Sequence, residues 1–157
     1  MDLYLIVKTL HILSSTVLFG FGAGTAWYFW NAHLSRDPAT IASVGRLVVK
    51  ADWIFTGTSG IVQPASGLWL VHLAGYSLTE PWLVVTYGLY ALAFICWAPV
   101  VRLQIKAQRL AESALQKNET LGPDYVRTMH LWFALGWPAF LGLVGVFWLM
   151  TAKPTLW

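Results

Sequence analysis

The sequence predicts an all-α integral membrane protein, a bundle of four transmembrane helices with both termini on the outer side, and three observations carry that expectation. Of its 157 residues, 57% are hydrophobic and 11% charged, with a mean hydropathy of +0.60, outside the usual composition of soluble domains. Four apolar stretches, at about 3–30, 53–75, 82–101 and 131–150, each approach the roughly 20 residues that cross ~30 Å of hydrocarbon. Eight of the ten Lys and Arg fall in two connections: Arg36, Arg46 and Lys50, then Arg102, Lys106, Arg109, Lys117 and Arg127. The positive-inside rule makes these two connections cytoplasmic and turns both termini outward. With so little chain left over, residues 1–157 read as one domain in a lipid bilayer.

The formal charge of +3 follows from this topology and is no sign of nucleic-acid binding. Cys96 stands alone, which excludes a disulfide framework and a thiolate metal site. The first stretch is expected to remain as a helix, because no basic region precedes it and its apolar run is too long for a cleavable signal.

That first helix carries Lys8 and His11 in an otherwise apolar, Gly-rich setting. At about 100° per residue, Tyr4, Lys8, His11 and Ser15 share a narrow stripe, with Gly22 and, at the far end, His33 on the same side. An ionisable side chain near the bilayer centre commonly costs ~2.5 kcal/mol or more and rarely faces lipid, so the stripe is a candidate site. His11 lies roughly 12 Å in from the outer end at 1.5 Å per residue. Gly20 and Gly24 share the opposite face, a spacing that permits close helix approach and a homodimer.

The connection at 31–52 contains a turn signal, Ser35-Arg36-Asp37-Pro38, followed by a run expected to form a short interfacial helix. The second helix places Asp52, Thr56, Ser59, Gln63 and Ser66 in one stripe. Pro64 should kink it and free a carbonyl near Gly60. His72 falls on the opposite side beside Trp69 and reads as an interfacial side chain ahead of a second ligand. In the third helix Thr86, Tyr90, Trp97 and Gln104 share a face, and an amphipathic cytoplasmic extension runs to about residue 116. Asp124 is expected to cap the fourth helix, a wall of Trp, Gly and Pro with His130 at its cytoplasmic start, level with His33.

Lys8, His11, Ser15, Gln63, Ser66 and Tyr90 thus converge at one outer-half depth. One imidazole in an aromatic-rich helical cleft is what a b-type haem, or a quinone headgroup, requires of a membrane bundle. No second imidazole lies at that depth, so His11 is the expected haem ligand, alone or with a weak partner, and Lys8 would neutralise a propionate. The competing reading makes these stripes internal hydrogen-bond glue. His33 and His130 form a secondary candidate pair on the cytoplasmic side.

Lys8-Thr9-Leu10-His11, His33 and Ala152-Lys153-Pro154 resemble the HemJ-type protoporphyrinogen oxidases and the wider CopD-like membrane proteins. Gln63-Pro64-Ala65-Ser66-Gly67-Leu68-Trp69 and Trp132-Phe133-Ala134-Leu135-Gly136-Trp137-Pro138 resemble more closely a sister family of bacterial membrane proteins, DUF2269, of unassigned function. The resemblance implies a bacterial cytoplasmic membrane location. Its HemJ-like side implies haem b held through His11 and an oxidoreductase acting on a porphyrin. The lysine that those oxidases carry in the third span is missing from Val84-Val85-Thr86-Tyr87-Gly88-Leu89-Tyr90. The expected function is therefore a haem-binding membrane protein with a redox or porphyrin-related role. The alternative is a non-catalytic membrane component or small transporter whose polar stripes are packing or a proton path.

Overall fold

The computed structural model describes residues 2–157, and they are helical almost throughout. The elements are α1 (Leu3–Ser35), α2 (Pro38–Ala51), a π-helical turn (Asp52–Gly57), α3 (Thr58–Ala74), α4 (Pro81–Lys117) and α5 (Pro123–Ala152). Since α2, the π turn and α3 follow one another without a break, they form one rod, and the fold is a bundle of four rods. Helices α1, α4 and α5 are each long and apolar enough to cross a membrane; the apolar part of the composite rod begins at Trp53.

The boundaries follow from local chemistry. Asp2 caps α1 by accepting the Tyr4 amide at 3.1 Å. Nothing breaks the helix at residue 30, so it continues to Ser35 and stops where Arg36 takes a left-handed conformation with φ 55°. The expected 31–52 connection therefore shrinks to Arg36 and Asp37, and what was read as a short interfacial helix runs straight into the second span. Asp37 starts it, accepting the amides of Ala39 and Thr40, with Pro38 in the first turn, where a missing N–H is harmless. The Thr40 hydroxyl and these two amides hold the Asp37 carboxyl below its ordinary pKa. At the start of α5 the cap position belongs to Gly122, and Asp124 lies inside the first turn instead of capping it.

Two buried clusters brace the ends of the bundle. At the end that carries the basic connections, Phe29, Ile41, Ala107, Tyr125, Met129 and Trp132 pack together from α1, α2, α4 and α5. Arg46 Nη1 donates to Glu112 Oε1 at 2.7 Å there, joining α2 to the extension of α4. At the other end Val71, Trp82, Leu83 and Leu149 form a smaller cluster. Helices α4 and α5 approach closely: a Cβ on Gly142 would stand 3.3 Å from the Leu89 carbonyl oxygen, and one on Gly145 2.9 Å from the Leu89 side chain. By contrast α1 reaches α5 through aromatic rings, Phe19 to Phe140 at 4.9 Å and Trp30 to Phe133 at 4.7 Å between centroids. Rings at that spacing hold two helices apart and leave room between them. The outer faces carry large exposed apolar side chains such as Ile61 and Ile95, as a surface solvated by lipid requires.

Candidate functional site

In the half of the bundle nearer the chain termini, His11 Nδ1 and Ser66 Oγ lie 2.8 Å apart, joining α1 to α3. The Ser66 hydroxyl also reaches the Val62 carbonyl oxygen at 2.7 Å. When its single proton goes there, Ser66 accepts from His11 Nδ1–H and leaves a lone pair on Nε2. The imidazole is close against Gly67, whose missing side chain makes the approach possible, since a Cβ there would lie 3.2 Å from His11 Cε1.

The other residues of the predicted constellation are spread more widely. Lys8 is exposed, with Nζ 5.5 Å from the centre of the Tyr4 ring. Ser15 turns back on its own helix, donating to Ile12 O at 2.7 Å, and it is Ser14 that reaches across to Ser59 O at 3.5 Å. Gln63 Oε1 is buried without a hydrogen-bond partner. The Tyr90 hydroxyl donates to Gly60 O at 2.6 Å, the carbonyl that Pro64 leaves without its helical N–H. At 1.5 Å per residue this is roughly 9 Å inward of Ser66. His72 is exposed near the end of α3. His33 Nδ1 is 3.1 Å from Tyr125 Oη, and exposed His130 lies within electrostatic reach of it. Among the described residues no three His, Cys, Asp or Glu side chains gather as a metal cluster.

Between the His11 level and the end that carries the basic connections lies the feature that the aromatic spacers create, a cavity of about 420 Å³ between α1, the π turn, α4 and α5. On α1 it runs from Leu18 to Trp30, a length of roughly 18 Å at 1.5 Å per residue. Tyr90, Trp97, Trp132 and Phe140 are among its walls, and Gly22 and Gly136 open onto it. Trp27 and Trp137 line it and are also 62% and 50% exposed, so the cavity reaches the lateral surface of the bundle.

One wall of this apolar space is polar. Asp52, 3% exposed, comes from the π turn, and its Oδ1 accepts from Thr25 Oγ1 and Thr56 Oγ1, each at 3.0 Å. Gln104 of α4 is the third polar side chain beside it. Residues 52 and 56, four apart, share the inward face of the π turn; such wide turns are frequent at functional sites. Three further polar atoms in the lining, Gln104 Oε1, Trp97 Nε1 and Trp132 Nε1, are buried without a partner. Buried polar groups are nearly always hydrogen-bonded, so three around one cavity, two on α4 and one on α5, mark it as a place for a ligand with polar atoms of its own.

Of the residues singled out from the sequence, Gly22 and Tyr90 belong to this cavity, whereas Lys8, His11, Ser15, Gln63 and Ser66 do not line it. Sequence reasoning placed Asp52 in a stripe without making it a site residue, and passed over Thr25 and Trp132. The available signal was that Asp52 is the one carboxylate at the edge of the spans, and an intramembrane charge is a functional-site hypothesis by default. A haem in the cavity would find no His, Met, Cys or Lys in the lining, and the Tyr90 hydroxyl is engaged with Gly60. The residues that fit a haem ligand are instead at the His11 level, where Ser66 orients the ring.

The model of a family described as "Predicted integral membrane protein (DUF2269)" matches residues 5–154. No curated protein matches the chain, and no solved structure does.

Proposed function

This chain belongs to the DUF2269 family of predicted integral membrane proteins, and we propose that it is a membrane-embedded binding or transport component that takes a small amphipathic molecule from the bilayer. The observation that supports this reading is the cavity. Its volume of about 420 Å³ falls in the ~300–1,000 Å³ range of ligand sites, and aromatic walls with a few polar groups are their usual lining. Trp27 and Trp137 set its rim at the lateral surface, where a lipid-dissolved molecule would enter. In this reading the His11–Ser66 bond is glue between α1 and α3, and the chain lies in the bacterial cytoplasmic membrane with both termini outward.

The test is saturable binding of N-phenyl-1-naphthylamine, a neutral apolar dye that brightens on leaving water, to protein in lipid nanodiscs above the signal of empty discs. Gly22 and Gly136 line the cavity and a Cβ on either meets no atom within 4 Å, so Gly22→Phe and Gly136→Phe are the substitutions that occupy it. Both should weaken dye binding at least tenfold. Dye uptake equal to that of empty discs, or unchanged in both variants, would sink the reading.

A second reading, b-type haem in redox or porphyrin chemistry, is favoured by the orientation of His11. Metal-bound imidazoles commonly donate their other N–H to a fixed acceptor, which is the part Ser66 plays. His11 would hold the iron through Nε2, and Lys8, one turn outward, is placed for a propionate. Haem would supply one-electron chemistry, with a quinone or a porphyrin as the reaction partner. An absorption spectrum of protein from haem-supplied cells, oxidised and dithionite-reduced, decides it. A Soret band lost in His11→Ala and retained in His72→Ala supports the reading; a colourless protein removes it.

A further inference from the structure

We propose that the cavity is selective for a lipophilic ammonium ion bearing N–H groups, with the Asp52 carboxylate as its counter-ion and the Gln104 side-chain carbonyl as its second acceptor. This rests on the reading of the cavity as a ligand site and adds the charge of the ligand.

Asp52 is 3% exposed at the edge of an apolar span, where an unpaired carboxylate is costly. The ion pair found among the described residues is Arg46–Glu112, at the bundle end; none involves Asp52. Its partners, the side chains of Thr25, Thr56 and Gln104, are all neutral. Thr25 and Thr56 both address Oδ1, and the Thr25 proton has a competing acceptor in the Phe21 carbonyl oxygen at 2.7 Å. Gln104 is hydrogen-bonded to this carboxylate through its side-chain amide N–H, and its own Oε1 stays buried without a partner. Two acceptors side by side, one of them charged, call for a cationic donor with more than one N–H. Around them the lining is aromatic, Trp97 and Trp132 among it, and a desolvated cation is attracted to such rings. A metal ion is a poorer fit, since one carboxylate and hydroxyls among indoles do not make a hard-cation cage.

The probe is monodansylcadaverine, a primary alkylammonium whose dansyl group is excited by tryptophan emission, compared with its N-acetylated neutral form. Both are titrated into the full chain in uncharged-lipid nanodiscs, reading tryptophan-to-dansyl energy transfer above empty discs. The ammonium form should bind at least tenfold more tightly than the acetylated form. Asp52→Asn should bring that ratio to about one while leaving the affinity for the acetylated form within about twofold. Gln104→Leu, which keeps the carboxylate, should reduce the ratio several-fold and serves where Asp52→Asn does not fold. Equal binding of the two forms by the native chain overturns the proposal, and so does a preference for the ammonium that survives in Gln104→Leu and Asp52→Asn alike. If the two forms bind equally and Gly136→Phe abolishes both, the ligand cavity stands and its selectivity for a cation falls. If neither form binds, both readings fall.

Discussion

Thr25 Oγ1 and Asp52 Oδ1 stand 3.0 Å apart, a hydrogen bond between the first helix and the π turn of the second rod. It is the point where the fold and the cavity meet. The π turn brings Asp52 and Thr56 inward together, and Thr25 is the α1 residue that meets them. The bond therefore fixes the spacing of two rods and the orientation of the only carboxylate in the cavity wall.

Removing the Thr25 hydroxyl at constant shape tests that double role. Thr25→Val takes away a donor to a buried carboxylate, and a hydrogen bond to a charged group contributes about 1.5–3 kcal/mol. The variant should unfold at lower temperature in dodecylmaltoside, and by more than Thr9→Val, whose hydroxyl bonds only its own helix at Leu5 O. Equal melting of the two variants would show that the contact contributes nothing.

Tyr90→Phe poses a similar question at the Pro64 kink. Proline removes the helical donor to Gly60 O, and the Tyr90 hydroxyl replaces it at 2.6 Å. Deleting the hydroxyl leaves a buried carbonyl unpaired at a cost of about 1–3 kcal/mol. Restoring the helical donor with Pro64→Ala in the same chain should recover most of the loss. A double variant no more stable than Tyr90→Phe would contradict this account.

The all-α class with its long apolar helices, three of which can cross a membrane, and the carbonyl freed near Gly60 were legible because hydropathy and the chemistry of proline act locally. The helix ends were less so. The 31–52 stretch reads as a connection by composition, yet only Arg36-Asp37-Pro38 interrupts it, and a helix has no reason to stop elsewhere. The meeting of His11 with the second helix, which it makes at Ser66, was legible in depth and stripe. What the sequence hid was the cavity, which depends on α1 standing off from α5 on ring contacts. A stripe analysis places side chains on a helix face but does not say how far apart two helices stand. The π turn is hidden for a related reason, because a constant 100° per residue already places Asp52, Thr56, Ser59 and Ser66 on the buried face and gives no sign of a wider turn.

The N-terminus of α2 should be acid-sensitive. The Thr40 hydroxyl, then the Thr40 and Ala39 amides, depress the pKa of Asp37 from its ordinary 3.8. A depressed carboxylate stabilises the fold above its unfolded pKa, and that contribution is lost as pH falls from about 3.8 through the folded value. Hydrogen exchange, corrected for intrinsic rates, should therefore show protection at the Ala39 and Thr40 amides decreasing across that interval in the native chain. Asp37→Asn, which caps without titrating, should show no such decrease.

Orientation is open to a direct test, because the native cysteine, Cys96, is buried. Ser77, in the short turn before α4, and Ser43, on α2 beside the basic residues, are both exposed. With the basic end inward, Ser77→Cys should react with a membrane-impermeant maleimide in intact spheroplasts, and Ser43→Cys only after lysis. The reverse pattern would invert the topology.

Packing and charge at the end that carries the basic residues differ in magnitude, and glycine substitutions separate them. A Cβ on Gly45 would lie 3.0 Å from Gln108 Cβ and 3.2 Å from the ring of fully buried Phe29. Neither neighbour is the free end of a flexible chain, so Gly45→Val should destabilise by about 1–3 kcal/mol, the usual penalty of overpacking. Arg46, next to it, pairs with Glu112 while 61% exposed, and exposed pairs contribute about 0.2–1 kcal/mol; Arg46→Ala should melt close to the native chain. Gly20 is the counter-case, since a Cβ there meets nothing within 4 Å. Gly20→Val should leave the melting temperature of a monomer unchanged. If a second copy packs on the Gly20/Gly24 face, the same substitution should convert a dimer to a monomer in detergent-corrected sedimentation. A dimer that survives it uses another face.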